Sequence, residues 1–161
     1  MPWHRRDWLL TFLAVAPAGA APAVQPAGAS PALDPIRVMK GLFLFQNEDA
    51  PDVVSPLPAA PYEFEAYAYG PFTAAIYHDL NELERLGFVQ SKPVFGRTYS
   101  RWSITESGVA LAQAKVEEIS AERLRRLRHA KQIVLSKGFA ALLRYVYQRH
   151  PDYATESVAK L

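Results

Sequence analysis

Between Tyr69 and Gln113 the hydrophobic pattern changes period twice, and no other feature narrows the possible folds as much. Ile76, Leu80, Leu83 and Leu86 recur every three or four residues, the spacing of one buried helix stripe. Gly70-Pro71 turns the chain before that helix, Pro71 or Thr73 starts it, and Gly87 supplies a left-handed stop. Phe88 to Val94 and Thr98 to Thr105 then read as strands joined by Phe95-Gly96-Arg97, a hairpin with glycine at its tip. On the second strand Thr98, Ser100, Trp102 and Ile104 share one face, and Tyr99, Arg101 and Ser103 share the other. Thr105 suits the cap of the next helix, whose stripe is Val109, Ala112, Val116 and Ile119. A helix, a hairpin and a helix must therefore lie side by side.

The flanks add helices. Asp34 can cap free amides and Pro35 fits a first turn, so a helix opens there with Ile36, Met39, Leu42 and Phe43 facing a core. Asn47 to Pro61, with four prolines, reads as a loop, and Tyr62-Glu63-Phe64-Glu65 alternates as a short strand reaching Tyr67. Ser120 caps a helix with Leu124, Leu127, Ala130 and Val134 inward and Gly138 at its end. A last helix carries Phe139, Leu142, Leu143 and Val146 and stops before Pro151.

Residues 17–35 are Ala, Pro and Gly in the main and read as an extended linker. Before them, Trp8, Leu9, Phe12 and Leu13 recur at helical spacing, so residues 1–16 are expected to hold a docked first helix. The alternative is a secretory signal, with Ala18-Gly19-Ala20 as its cleavage triplet. Trp8 to Ala16 is too short to span a bilayer core of about 30 Å.

The chain has 161 residues, half of them apolar, enough for one domain with a real core. It contains no cysteine, which excludes disulfides, thiol catalysis and thiolate metal sites. The formal net charge of +2 demands no particular partner, but the charges are segregated. Residues 47–90 carry eight acids against Arg85, and residues 121–150 carry eight bases against Glu122. Such polarity suits complementary surfaces within or between chains, or a basic face for phosphate.

The order helix, helix, strand, helix, hairpin, helix is that of a winged helix. IYHDLNELERLGFV, a hairpin and YSRWSITESGVALAQ resemble the winged-helix regulators of the PadR and MarR type. Leu83, Glu84, Gly87, Phe88 and Val89 stand at the end of their third helix, and Ile104, Thr105 and Gly108 where their wing returns into a helix. Over a longer stretch, Met39-Lys40-Gly41-Leu42-Phe43-Leu44-Phe45 and Tyr67-Ala68-Tyr69-Gly70-Pro71-Phe72, followed by Thr73, resemble small bacterial families of the Panacea type, associated with phages and toxins. These resemblances imply a winged-helix scaffold used for regulation or protein contact, in places as antitoxin or adaptor. One departure is plain. The stretch between Gln46 and Thr73, strand included, is far longer than the three or four residues that join a compact helix-turn-helix.

The expected fold is therefore mainly α with a small β-hairpin. A winged helix-turn-helix core at 36–113 is followed by a C-terminal helical region at 114–161, through which the protein is expected to form a homodimer. The expected function is a cytoplasmic, DNA-binding transcriptional regulator, with Thr73, Tyr77, His78 and Asn81 in the groove and Lys92, Arg97 and Arg101 on the flanking backbone. Asp79, Glu82 and Glu84 oppose that reading if they share the outward face. The alternative on the same scaffold is a non-enzymatic protein-interaction module, an antitoxin or adaptor whose acidic middle docks a basic partner. The basic run from Arg123 to Lys131 is read three ways: phosphate contact, pairing with a second subunit's acidic middle, or a solvated face snorkelling over its own core. The four histidines have no metal-ligand spacing, and no nucleophile elbow or phosphate loop is present, so neither enzyme activity nor a cofactor is expected.

Overall fold

The computed structural model describes residues 3–47 and 61–159. These form six helices and two separate two-stranded antiparallel hairpins. The centre is a pair of helices, α1 (Arg5–Ala14) and α2 (Pro35–Asn47). Every residue from Trp8 to Ala16 and from Val38 to Gln46 is buried, as befits runs that are apolar on nearly every side, with Thr11, Lys40 and Gln46 as the buried polar exceptions. The expected single stripe on α2 is too narrow a description. Ile36 is only half-buried, whereas Leu44 and Phe45 are enclosed, because α2 packs on α1 and on a later helix, α5 (Ala121–Ser136). Gly41 permits the α1–α2 contact, since a Cβ there would lie 2.2 Å from the Phe12 ring.

Residues 17–35 do not hang as a spacer. Val24 and Leu33 are buried, Ala16 N–H donates to the Ala23 carbonyl at 2.8 Å, and Val15 pairs with Val24. Leu33 exchanges both backbone hydrogen bonds with Trp102, at 2.9 and 2.8 Å. Two apolar side chains suffice to dock such a segment once its backbone groups find partners.

A first hairpin joins β1 (Glu65–Tyr67) to β2 (Gly70–Phe72), with Tyr67 opposite Gly70. The strand thus begins later than Tyr62, and the turn is Ala68-Tyr69. The expected loop at 47–61 falls, for residues 48–60, outside the described residues. Next come α3 (Ala74–Arg85), β3 (Val89–Pro93), β4 (Ser100–Ile104), α4 (Glu106–Val116) and, after α5, α6 (Phe139–Arg149). Thr73, Thr105 and Ser120 cap α3, α4 and α5 through their side-chain oxygens. Gly138 is the N-cap of α6, not the end of α5, which stops at Ser136.

The stripe on α5 is buried within this chain. Leu127 and Val134 have no exposed surface, and Val116, Ile119 and Leu124 pack against the same core. Three of the α5 cations turn inward too, whereas Arg125 stays exposed beside Glu122. Lys131 is fully buried and donates to the Leu13 carbonyl at 2.9 Å. Arg128 reaches the carbonyls of Ala16, Pro17 and Ala20, and Arg126 that of Phe45 at 3.3 Å. These groups satisfy carbonyls at and just beyond the C-terminal ends of α1 and α2, where orphan acceptors and the negative end of the helix dipole favour a cation. No described helix is long and apolar enough to cross a membrane.

Candidate nucleic-acid interface

Helix α3 and the β3–β4 hairpin stand together because Glu84 bridges them. Its carboxylate accepts from Ser91 N–H at 2.6 Å and from the Ser91 hydroxyl at 2.8 Å. The Phe88 amide donates to Leu83 O at 2.9 Å, closing the helix through Gly87 at φ +86. The inward stripe is Ile76, Leu80 and Leu83, whereas Leu86 is 44% exposed at the helix end.

Each acid on α3 has a partner. Asp79 is buried and accepts from the Tyr62 hydroxyl at 2.6 Å and from Arg5 at 3.0 Å, tying α3 to the start of α1. Burial, and then the hydrogen bond to Asp79, holds the Tyr62 phenol well above its ordinary range, so it donates at any physiological pH. Glu82 pairs with Arg85 one turn on, which lowers its carboxyl. Glu84 holds the hairpin. The outward residues left are Tyr77, His78 and Asn81, all exposed.

Thr73 does not join them. It is buried, its hydroxyl accepts from Ala75 N–H at 3.3 Å, and its own N–H points to the Met39 sulfur at 3.4 Å. A threonine at a helix start reads equally as cap or contact in sequence, and here the capping role takes it out of reach.

The hairpin turns Val89, Trp102 and Ile104 to the core, with Trp102 opposite Ser91 and Ile104 opposite Val89. Lys92 and Arg101 sit directly opposite each other on its other face, both exposed. Like charges so placed cost sheet stability. Arg97, at the tip, is also exposed, and residues 89–104 contain no acid.

A cleft of about 720 Å³ opens beside this surface, between the start of α2, the β1–β2 hairpin, Tyr77 and the tip residues Arg97 to Tyr99. It brings Tyr77 and Arg97 to one site, together with Lys40, which the sequence analysis placed in a helix motif but not among the site residues. Lys40 is 3% exposed and donates to the Pro71 carbonyl at 2.8 Å. Burial lowers its ammonium to about 7, with Asp34 pulling it back up. Its place in an otherwise apolar helix run was the available signal. His78, Asn81, Lys92 and Arg101 lie outside the cleft lining.

Compared with known proteins, the chain matches no family model, no curated protein and no solved structure.

Proposed function

We propose that this protein is a small winged-helix transcriptional regulator that binds duplex DNA with α3 in a groove and β3–β4 as the wing. The observation that carries the reading is the distribution of charge. Each acid of α3 has a partner, Asp79 and Glu84 on other elements and Glu82 in Arg85 of the same helix, while the wing presents Lys92, Arg97 and Arg101 with no acid of its own. Connectivity supports it: α1, the Leu33 segment paired with β4, α2, α3, then β3 and β4 follow the helix–strand–helix–helix–wing order of that fold. The β1–β2 hairpin is then an insertion between the second and third helices. Tyr77, His78 and Asn81 read base edges in this arrangement, and the wing cations meet phosphate.

The insertion also favours a second reading, in which the same outer face docks a protein partner as an antitoxin or adaptor does, since it breaks the short turn of a compact helix-turn-helix. Salt dependence separates the two. Wild-type protein is expected to bind random duplex at about 50 mM salt with a steep log–log salt slope, because counterions are released. Arg97→Ala should lower the magnitude of that slope by about one, equally for all sequences. On a selected target, Asn81→Ala should relax preference at one position by about 1–3 kcal/mol. Absence of any duplex binding at low salt sinks the DNA reading and leaves the protein-docking one.

A further inference from the structure

Among the described residues, eight large apolar side chains are notably exposed, and five of them (Tyr67, Tyr69, Tyr77, Tyr99 and Phe139) line a cleft beside α3. Exposed apolar surface gathered at one place marks a binding site more often than chance exposure does. The rings form continuous walls. Phe72 lies 4.8 Å from Tyr67 and 6.2 Å from Tyr77 between centroids, and Tyr69 meets Phe139 edge-on at 5.6 Å. The cleft's volume falls within the range usual for small-molecule sites, about 300–1,000 Å³.

Its charge is as selective as its shape. Asp34 and Arg37 line it but neutralise each other, and Arg37 also donates to the carbonyls of Val134 and Lys137. Two cations remain, Lys40 and Arg97. The Lys40 ammonium has three donors, of which one is engaged by Pro71. The guanidinium of Arg97 makes no ion pair among the described residues. A ligand that satisfies both features carries a flat ring to stack on tyrosine and an anionic group within reach of two cations.

We infer that the cleft bounded by the β1–β2 hairpin, Lys40, Tyr77 and Arg97 is a nucleotide site, stacking one base on its tyrosines and holding the attached phosphate with Lys40 and Arg97. Base stacking on aromatic side chains is tolerant of base identity and is the usual means by which unpaired nucleotides are held. A phosphate beside Lys40 also offsets the cost of burying its charge. The nucleotide has two sources, free in solution or unpaired at the end of a DNA strand. The second rests on the duplex-binding reading, because Tyr77 and Arg97 belong to both surfaces and would lead a frayed strand from wing to cleft; the first does not.

Tyrosine fluorescence of the full chain, titrated with adenosine monophosphate, adenosine and inorganic phosphate, tests the site. The monophosphate should bind at least about tenfold more tightly than either fragment, as both halves of the cleft are then occupied. Tyr69→Ala, at an exposed position, should remove most of that advantage while leaving the melting temperature unchanged. In parallel, a duplex with a three-nucleotide overhang is compared with its blunt form. Tighter overhang binding, lost in Tyr69→Ala, identifies strand ends as the source. Monophosphate binding with equal overhang and blunt affinities identifies the free nucleotide. Monophosphate binding with no duplex binding at all ends the DNA reading and keeps this one. Equal or absent binding of all three small probes, together with equal overhang and blunt affinities, overturns the inference even where blunt duplex binds well.

Discussion

Two groups of cations in this molecule behave in opposite ways. On α5, Arg126, Arg128 and Lys131 come from the most basic stretch of the chain, and all three turn toward backbone carbonyls around the ends of α1 and α2. On the β3–β4 hairpin, three bases from a chemically modest stretch stand exposed, two of them facing each other across the strands. Charge density along a sequence thus pointed away from the surface that is free to meet an anion. Helix ends need donors and cations, so a buried helix pair draws basic residues inward. A two-stranded hairpin makes no such demand, and its outer face stays available.

The largest effect that separates the two regions is expected from Leu127→Glu. Leu127 has no exposed surface, and a lone buried carboxylate there costs on the order of 4 kcal/mol or more. Denaturant melts should show an unfolded or molten chain. A folded monomer obtained from a dimeric wild type would instead place α5 at a seam between two copies, as its apolar stripe alone suggests.

A smaller effect, with a definite sign in pH, belongs to Lys131. Burial lowers its ammonium from 10.5 to about 7. Below pH 7 the group is charged in both folded and unfolded chains and its burial cost is present in full. Between pH 7 and 10.5 the folded chain sheds the proton first, and the cost fades as pH rises. Lys131→Met should therefore stabilise the fold at pH 6 by about 3 kcal/mol after loss of the bond to Leu13, and less at pH 9, read as a larger rise in melting temperature at the lower pH. An equal gain at both values would mean that the ammonium is not desolvated.

The sharpest contrast is between single arginines. Arg128→Ala leaves the Ala16, Pro17 and Ala20 carbonyls without this donor and should destabilise by about 1–3 kcal/mol, with an unchanged salt slope for DNA. Arg101→Ala should do the reverse. It removes a like-charge neighbour of Lys92, so stability holds or rises by about 0.2–1 kcal/mol, while the magnitude of the salt slope falls by about one. Swapped outcomes would dissolve the distinction between structural and ligand-facing cations.

Much of the local structure was legible in sequence. The helix–hairpin–helix from Ala74 to Val116, the caps at Thr105 and Ser120 and the stop at Gly87 follow from hydrophobic period and capping chemistry, whereas α5 ends at Ser136, short of the expected Gly138. These are short-range effects, written within a few residues of where they act. Of the candidate site, only the exposure of its residues was legible. Tyr77, His78, Asn81, Lys92, Arg97 and Arg101 are on the surface as their spacing implied, while Thr73 is closed off by its own helix start.

What residues far apart along the chain do together was decided by tertiary structure alone. Asp79 left the outer face of α3 because Arg5 and Tyr62 come from other elements to meet it. Residues 17–35 became part of the core's cover because Trp102 and Arg128 receive their backbone groups. Lys40 became a buried cation in an aromatic cleft because α2, two hairpins and α6 converge there. Periodicity assigns each residue a face on its own element. Whether that face meets water, a helix end or an opposite charge depends on desolvation and pairing across long sequence separations, and these exist only once the chain has folded.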